Sequence, residues 1–355
     1  MRLTPIDAPD ALDALTQALA VRDAGGVPLI LDPRAHVPQG SLAFDLPQDA
    51  AWATLTSGTT GAPKIVVRTA ASWEAAFGPL NAELGLQPGD GLWMPVHQVS
   101  SMALFSAAWA HESGLELIVP QKDPGLDRAA VAHVTPAWLG RMLDLIEAGE
   151  PTTVHTVLVG GDHVPEALLV RARQAGLRTI TYAGAAELSF VAWDRGDGLR
   201  AFDGVSIRTS EGQLWVASPQ MALGVLGGTL EHETLEGIEW ATVGDRVTEH
   251  NGVLEFLGRA DGAILTAGAT VIPTDVEAII AQHPGITASL VLGEPDALLG
   301  QRVVAWYEGD ATIPELRDWV RSRLPKASRP LQWHRVEALA RTASGKIRRV
   351  VPEDS

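Results

Sequence analysis

From about residue 50 to about residue 195, short apolar, β-branched runs alternate with longer stretches whose apolar positions recur at helical spacing. That alternation predicts an α/β layer architecture in which helices cover a sheet. The runs predict strands over Trp52–Leu55, Ile65–Arg68, Leu92–Val96, Leu115–Val119, Val154–Val159 and Thr179–Tyr182. The stretches between them predict helices near Ser72–Leu84, Ser101–His111, Trp138–Glu147 and Pro165–Ala175, with Pro165 in a first turn, where no amide hydrogen is needed.

Beyond about residue 190 the pattern changes to closely spaced strands, over Val205–Arg208, Gln213–Ala217 and Val253–Leu257, with Asn251-Gly252 as a hairpin turn. A separate α+β module follows. Its strands are expected over Thr270–Ile272, Ala288–Leu292, Arg302–Tyr307 and Trp333–Val336, and its helices over Asp275–Gln282 and Ile313–Leu324. The chain thus reads as α/β. A large N-terminal α/β domain with mixed sheets and helices, residues 1–258, is joined by a hinge near Arg259–Gly262 to a small C-terminal α+β domain, residues 259–355.

Composition narrows the function. The 355 residues carry 43 Asp and Glu against 27 Lys and Arg, a formal charge of −16, which disfavours a surface built to neutralise nucleic acid. With no cysteine there is no thiolate nucleophile and no cysteine-ligated metal, so catalysis must use oxygen and nitrogen groups. His-x-x-x-His spacing is absent as well. The N-terminus has no basic segment followed by an apolar core, and no apolar run reaches the roughly 18–20 residues that span a bilayer. A cytoplasmic protein without a membrane span is expected.

The densest chemistry lies in Thr56-Ser57-Gly58-Thr59-Thr60-Gly61-Ala62-Pro63-Lys64, between two predicted strands. Glycines let main-chain N–H groups turn inward as an anion nest, hydroxyls add donors without bulk, and Lys64 supplies charge for a polyphosphate. It is not the P-loop of nucleotide hydrolases, because the glycine–lysine spacing differs and Ile65 follows the lysine. A polar hairpin turn would share part of this composition. The string resembles the signature of the adenylate-forming superfamily, which includes acyl-CoA and aryl-CoA synthetases.

Further segments carry the same resemblance. Tyr182-Ala183-Gly184-Ala185-Ala186-Glu187 is similar to the family's Tyr-Gly-x-Thr-Glu motif, with Ala183 where an aromatic ring packs on adenine and Ala186 where a threonine contacts the nucleotide. Tyr182 is one residue early, and neighbouring side chains of a strand face opposite ways, so it does not replace that ring. The resemblance implies that Glu187 helps hold Mg²⁺ on the ATP phosphates, a hard-cation task suited to a carboxylate. Thr242-Val243-Gly244-Asp245 resembles the segment whose aspartate takes the ribose hydroxyls, here Asp245.

Gly258-Arg259-Ala260-Asp261 resembles the hinge, which implies that Arg259 touches the ribose, that Asp261 rotates and that Gly268 borders the CoA tunnel. Arg341–Arg349 resembles the C-terminal lysine loop, with Lys346 reaching the reacting groups; only four lysines occur in the chain, and Lys64 and Lys346 are two of them. Gly160 and Gly161 correspond to the turn along the adenine. His97 and Gln98 correspond to the segment bordering the acyl pocket, although a lone histidine is more often structural.

The resemblance implies ATP, Mg²⁺ and CoA as cofactors and a small carboxylic acid as partner. The acid would be adenylated and then passed to the CoA thiol. Only 55 residues precede the phosphate loop, so the large domain reads as truncated at its N-terminal side, as in compact o-succinylbenzoyl-CoA synthetases of menaquinone biosynthesis. His97, Gln98 and Arg141 could meet a second carboxylate, and Trp138, Phe190 and Val191 an apolar acid. A medium- or long-chain fatty acid, or a degenerate nucleotide- or acyl-binding protein that adenylates nothing, remain alternatives. The reading leaves room for a homodimer.

Overall fold

The computed structural model describes residues 2–31, 46–56, 64–162, 164–259, 262, 264–266, 269–296, 299–342 and 345–352. Its centre is a seven-stranded sheet in the order Arg200–Ala201, Ser189–Asp194, Arg178–Ala185, Thr156–Gly160, Val131–Val134, Gly91–Trp93, Glu116–Ile118. The five strands from Glu116–Ile118 to Arg178–Ala185 are parallel, and the other two join antiparallel. Val131–Val134 and Thr156–Gly160 are buried throughout, as expected for parallel strands covered on both faces.

Helices Ala70–Leu84 and Ser101–Ser113 pack into the apolar cluster on one face, and helix Pro136–Glu147 packs into the cluster on the other. Thr69 and Ser100 accept from the third residue beyond and so start the first two helices, and Gly85 and Gly114 end them in the left-handed conformation. Pro165 is the N-cap of helix Glu166–Gln174 rather than a first-turn residue. The strand Gly91–Trp93 lies between Glu116–Ile118 and Val131–Val134, so successive connections leave it in opposite directions. In such sheets ligands settle outside the carboxyl ends of the strands at this switch point.

Strands Trp52–Thr56 and Lys64–Arg68 form an antiparallel pair beside the central sheet, joined by Gly224–Leu226. A six-stranded sheet follows, with Asn251 and Gly252 both at positive φ in the hairpin turn between Asp245–His250 and Val253–Arg259, as the dipeptide predicted. The C-terminal five-stranded sheet, with helices Pro273–Ala281 and Ile313–Arg321, closes a core of its own around Ile280, Val291, Val303 and Leu316. The sequence did not predict an N-terminal unit in which Leu3–Ile6 and Val27–Ile30 pair in parallel around helix Ala11–Asp23. Among the described residues no helix is long and apolar enough to cross a membrane.

Candidate active site

Lys346 lies on a tight hairpin. Thr342 N–H donates to the Lys346 carbonyl at 2.7 Å, Lys346 N–H donates to Thr342 Oγ1 at 3.2 Å, and Arg341 bridges Ile347 across the base. Two ion pairs fasten this hairpin to the C-terminal domain. Arg341 reaches Glu308 at 3.0 Å, and Arg349 reaches Glu277 at 3.0 Å while donating to the Val291 carbonyl at 2.7 Å. Glu277 accepts in turn from Val291 N–H at 2.7 Å. Burial pushes the Glu277 carboxyl up, Arg349 opposes that shift, and Asp162 of the large domain adds to it by repulsion.

The hairpin meets the carboxyl end of the central sheet. A Cβ placed on Gly161 would lie 3.8 Å from Lys346 Cε and 3.6 Å from both Met102 Cε and Thr135 Cγ2; one on Gly345 would lie 4.0 Å from Ala137 Cβ. Gly161 has φ +93°, a conformation that side chains disfavour. The side chain of exposed Lys346 therefore reaches the turn at 160–161.

Beneath that turn lies a polar chain. Ser106 donates to the Met102 carbonyl at 2.8 Å, so its oxygen accepts from His133 Nδ1–H at 2.8 Å, and Nε2 accepts from the Tyr182 hydroxyl at 2.9 Å. The Tyr182 ring occupies the space a Cβ on Gly160 would take, with ring atoms 2.1–2.6 Å from it. Tyr182 thus faces the core, on the side of the strand opposite to Ala183. Desolvation lowers His133 to about 3 and raises the Tyr182 hydroxyl above its ordinary range.

An unfolded chain takes up a proton at His133 near pH 6.5, whereas the folded one does so only near 3. The unfolded state therefore binds more protons in that window, and stability falls as pH drops through it. Urea unfolding of His133→Gln across the window should show a pH slope shallower than wild type by up to about 1.4 kcal/mol per unit. Parallel slopes would contradict the assignment.

Glu187 sits half-buried in the turn after strand Arg178–Ala185, its carbonyl accepting from Ala222 N–H at 2.8 Å. The structure adds a residue that the sequence reading passed over. Arg68 is fully buried and donates to the Ala186 carbonyl from Nε at 3.0 Å and from Nη2, to the Gln220 carbonyl at 2.6 Å and to Ser72 Oγ at 3.3 Å. Burial lowers its guanidinium to about 9, against the opposing pull of Glu187, and it stays charged at neutral pH. An arginine at the end of an apolar run reads as a surface residue, so no local signal marked it.

Lys64 begins the strand leaving the phosphate loop, its stem against Gly228, where a Cβ would lie 2.8 Å from Lys64 Cδ. Asp245 and Arg259 are direct partners in the antiparallel register, so the hairpin sets the two residues assigned to the ribose opposite each other. Gly244 N–H donates to Thr242 Oγ1 at 3.0 Å and shapes the turn before Asp245. His97 Nδ1 accepts from Val99 N–H at 3.3 Å, and buried Gln98 turns toward the Ala8 carbonyl at 3.4 Å. Trp138 stands edge-on to Trp93 and under the Arg141 guanidinium, 4.8 Å from its ring centre. Phe190 and Val191 are buried in the main core. Ser57, Gly58, Thr59, Thr60, Gly61, Asp261 and Gly268 lie outside the described residues, and Thr56 and Arg259 are described in their main chain alone.

Among the described residues no cluster of three or more acidic or imidazole side chains could hold a metal ion. A divalent cation here would take Glu187 and the oxygens of a polyphosphate, the mixed ligand set usual for Mg²⁺, and the half-buried Glu187 carboxylate is of the kind that set needs.

Residues 6–226 match the family model described as AMP-binding enzyme, and residues 275–346 match that of the AMP-binding enzyme C-terminal domain. The chain is 29% identical over 293 residues to the 2-succinylbenzoate–CoA ligase of Escherichia coli K12, an alignment covering 79% of this chain and 63% of that one. It therefore spans less than two thirds of that relative. With the probable 2-succinylbenzoate–CoA ligase of Mycobacterium tuberculosis H37Rv it shares 30% identity over 376 residues, covering 98% of this chain and 97% of the other. The solved structure of an E. coli MenE variant with bound OSB-AMS is similar in fold, with a TM-score of 0.79 at 23% identity, covering 94% of this chain and 83% of that one.

Proposed function

The chain belongs to the AMP-binding enzyme family, and on that premise we propose that it activates a carboxylic acid with ATP, forming an acyl-adenylate and pyrophosphate, and passes the acyl group to CoA with release of AMP. The observation that carries this reading is the approach of Lys346 to Gly161, which brings an exposed lysine of the C-terminal hairpin to the crevice at the sheet's carboxyl end. Adenylation sets a carboxylate anion against an anionic α-phosphate, so charge must be neutralised before the oxygen can attack. Lys346 would sit between the two anions, while Lys64 and the loop amides take the outer phosphates, mainly by preorganised electrostatics and positioning.

Mg²⁺, held by Glu187 and the phosphates, would supply further neutralisation of the triphosphate. Asp245 and Arg259 would take the ribose, and the Gly160–Gly161 turn, with Ala183, Gly184 and Ala185, would border the base. Without an aromatic ring at 183, adenine loses a stacking partner, and weaker ATP binding follows. For the second step the C-terminal domain, residues 259–355, would turn about Asp261, withdraw Lys346 and bring the Gly268 segment to the thiol.

The acid is proposed to be o-succinylbenzoate or a related aryl acid. The mycobacterial relative, matched along nearly its whole length, supports this choice. The cytoplasm is the proposed location. ATP–pyrophosphate exchange over 2-succinylbenzoate, benzoate, 4-phenylbutyrate and octanoate tests the reading. Exchange is expected with 2-succinylbenzoate above the others. Exchange with octanoate alone would move the assignment to fatty acids, and none with any acid, despite ATP binding, would favour a nucleotide-binding protein without ligase activity.

A further inference from the structure

Three segments distant in sequence meet at Arg68: the strand Lys64–Arg68, the turn carrying Ala186 and Glu187, and the loop carrying Gln220. Two of the three edges are tied without it. Ala222 N–H donates to the Glu187 carbonyl at 2.8 Å and Phe190 N–H to Gln220 Oε1 at 3.3 Å, joining turn to loop; Leu223 N–H donates to the Val67 carbonyl at 2.9 Å, joining loop to strand. Arg68 supplies the third edge, from strand to turn, and doubles the second.

A buried cation is costly, and a strand position that needed only to be filled would be served by leucine or methionine. Arg68 spends its donors on main-chain carbonyls and a hydroxyl rather than on a carboxylate among the described residues. Ala186 has no side-chain hydrogen-bonding group, so at that residue the turn is held through its main chain, and the guanidinium grips that carbonyl with two donors. Lysine could not do this while also reaching the Gln220 carbonyl, because it offers a point charge in place of a planar fork.

We propose that Arg68 is a positioning residue for the magnesium–nucleotide site: by holding the Ala186 carbonyl it fixes the Glu187 carboxylate relative to the strand that leaves the phosphate loop. The proposal rests on the reading of Glu187 as the metal-binding carboxylate. It also assigns a task to the one charged residue that the apolar run Ile65–Val67 leads into the core.

Calorimetric titration of ATP into the full-length protein, with and without Mg²⁺, tests it for wild type, Arg68→Met, Glu187→Gln and the double variant. Mg²⁺ should tighten ATP binding to wild type. Arg68→Met should lose about tenfold of that tightening while ATP alone binds as before, and the double variant should lose no more than Glu187→Gln by itself, because both act through one carboxylate. Wild-type magnesium dependence in folded Arg68→Met, or losses that add independently, would overturn the proposal. Should Arg68→Met not fold, Arg68→Lys keeps the charge and is expected to lose part of the tightening; wild-type behaviour there would count equally against it. If wild type shows no magnesium-dependent ATP binding and Glu187→Gln changes nothing, the reading of Glu187 falls and the proposal with it, whereas magnesium dependence that survives at position 68 removes the proposal alone.

Discussion

Lys346→Ala is expected to lower ATP–pyrophosphate exchange by about 10²–10³ while leaving thioester formation from a supplied acyl-adenylate within about twofold of wild type. In the proposed mechanism the ammonium group would act where charge develops, between two anions, and water admitted in its place would screen them far less well than a fixed cation. The nearest cations on either side that have ion-pair partners are already engaged. Thr342 and the Arg341–Ile347 bridge hold residue 346 in the hairpin, Arg341 is paired with Glu308, and Arg349, three residues on, is held by Glu277 and Val291. The second half-reaction needs no charge at this point, since the adenylate is already formed. Equal loss of both halves would mean that Lys346 shapes the site rather than serving adenylation.

Gly184→Ala should be the most damaging conservative change in the glutamate turn. A Cβ there would lie 2.1 Å from the Ser189 carbonyl oxygen and 3.1 Å from its carbon, both main-chain atoms that no rotamer change can move aside. The partner strand has little slack to offer. Ser189 already sits at φ 59°, and the register shifts between Phe190 and Ala192. Relief must come from opening the pair that carries Glu187, at about 1–3 kcal/mol or more of stability. Thermal unfolding should show a midpoint several degrees lower, and pyrophosphate exchange should fall by at least about tenfold as the carboxylate shifts. Gly224→Ala is the matched control, because a Cβ there meets nothing within 4 Å. A Gly184→Ala protein as stable and active as that control would disprove the close approach.

Of the α/β layers, the buried parallel strands and the helices that cover them were the most legible. Val154–Val159 was expected and Thr156–Gly160 is found, and Ser101–His111 became Ser101–Ser113, because long apolar runs and helical periodicity report burial directly. The N-terminal unit escaped notice. Its two strands contain Pro5 and Pro28, which weaken any strand reading, and they are tolerated because the pair forms a two-stranded sheet of its own. Strand Glu231–Leu235 also escaped, being almost wholly exposed and without apolar alternation.

By itself the sequence determined the class of chemistry, since glycine, hydroxyl and lysine spacing is a local property that a contiguous loop must carry along the chain. It also marked Lys346 as a cation for the anionic reactants and Glu187 as a carboxylate for the metal ion between it and the phosphates, assignments that remain proposals. Tertiary structure alone decided which groups stand together. Arg68 is buried by carbonyls 118 and 152 residues away, and His133 is held neutral between Ser106 and Tyr182, 27 residues before it and 49 after. A side chain's charge state and partners depend on the solvent and dipoles that folding leaves around it, and at separations like these no local pattern encodes them.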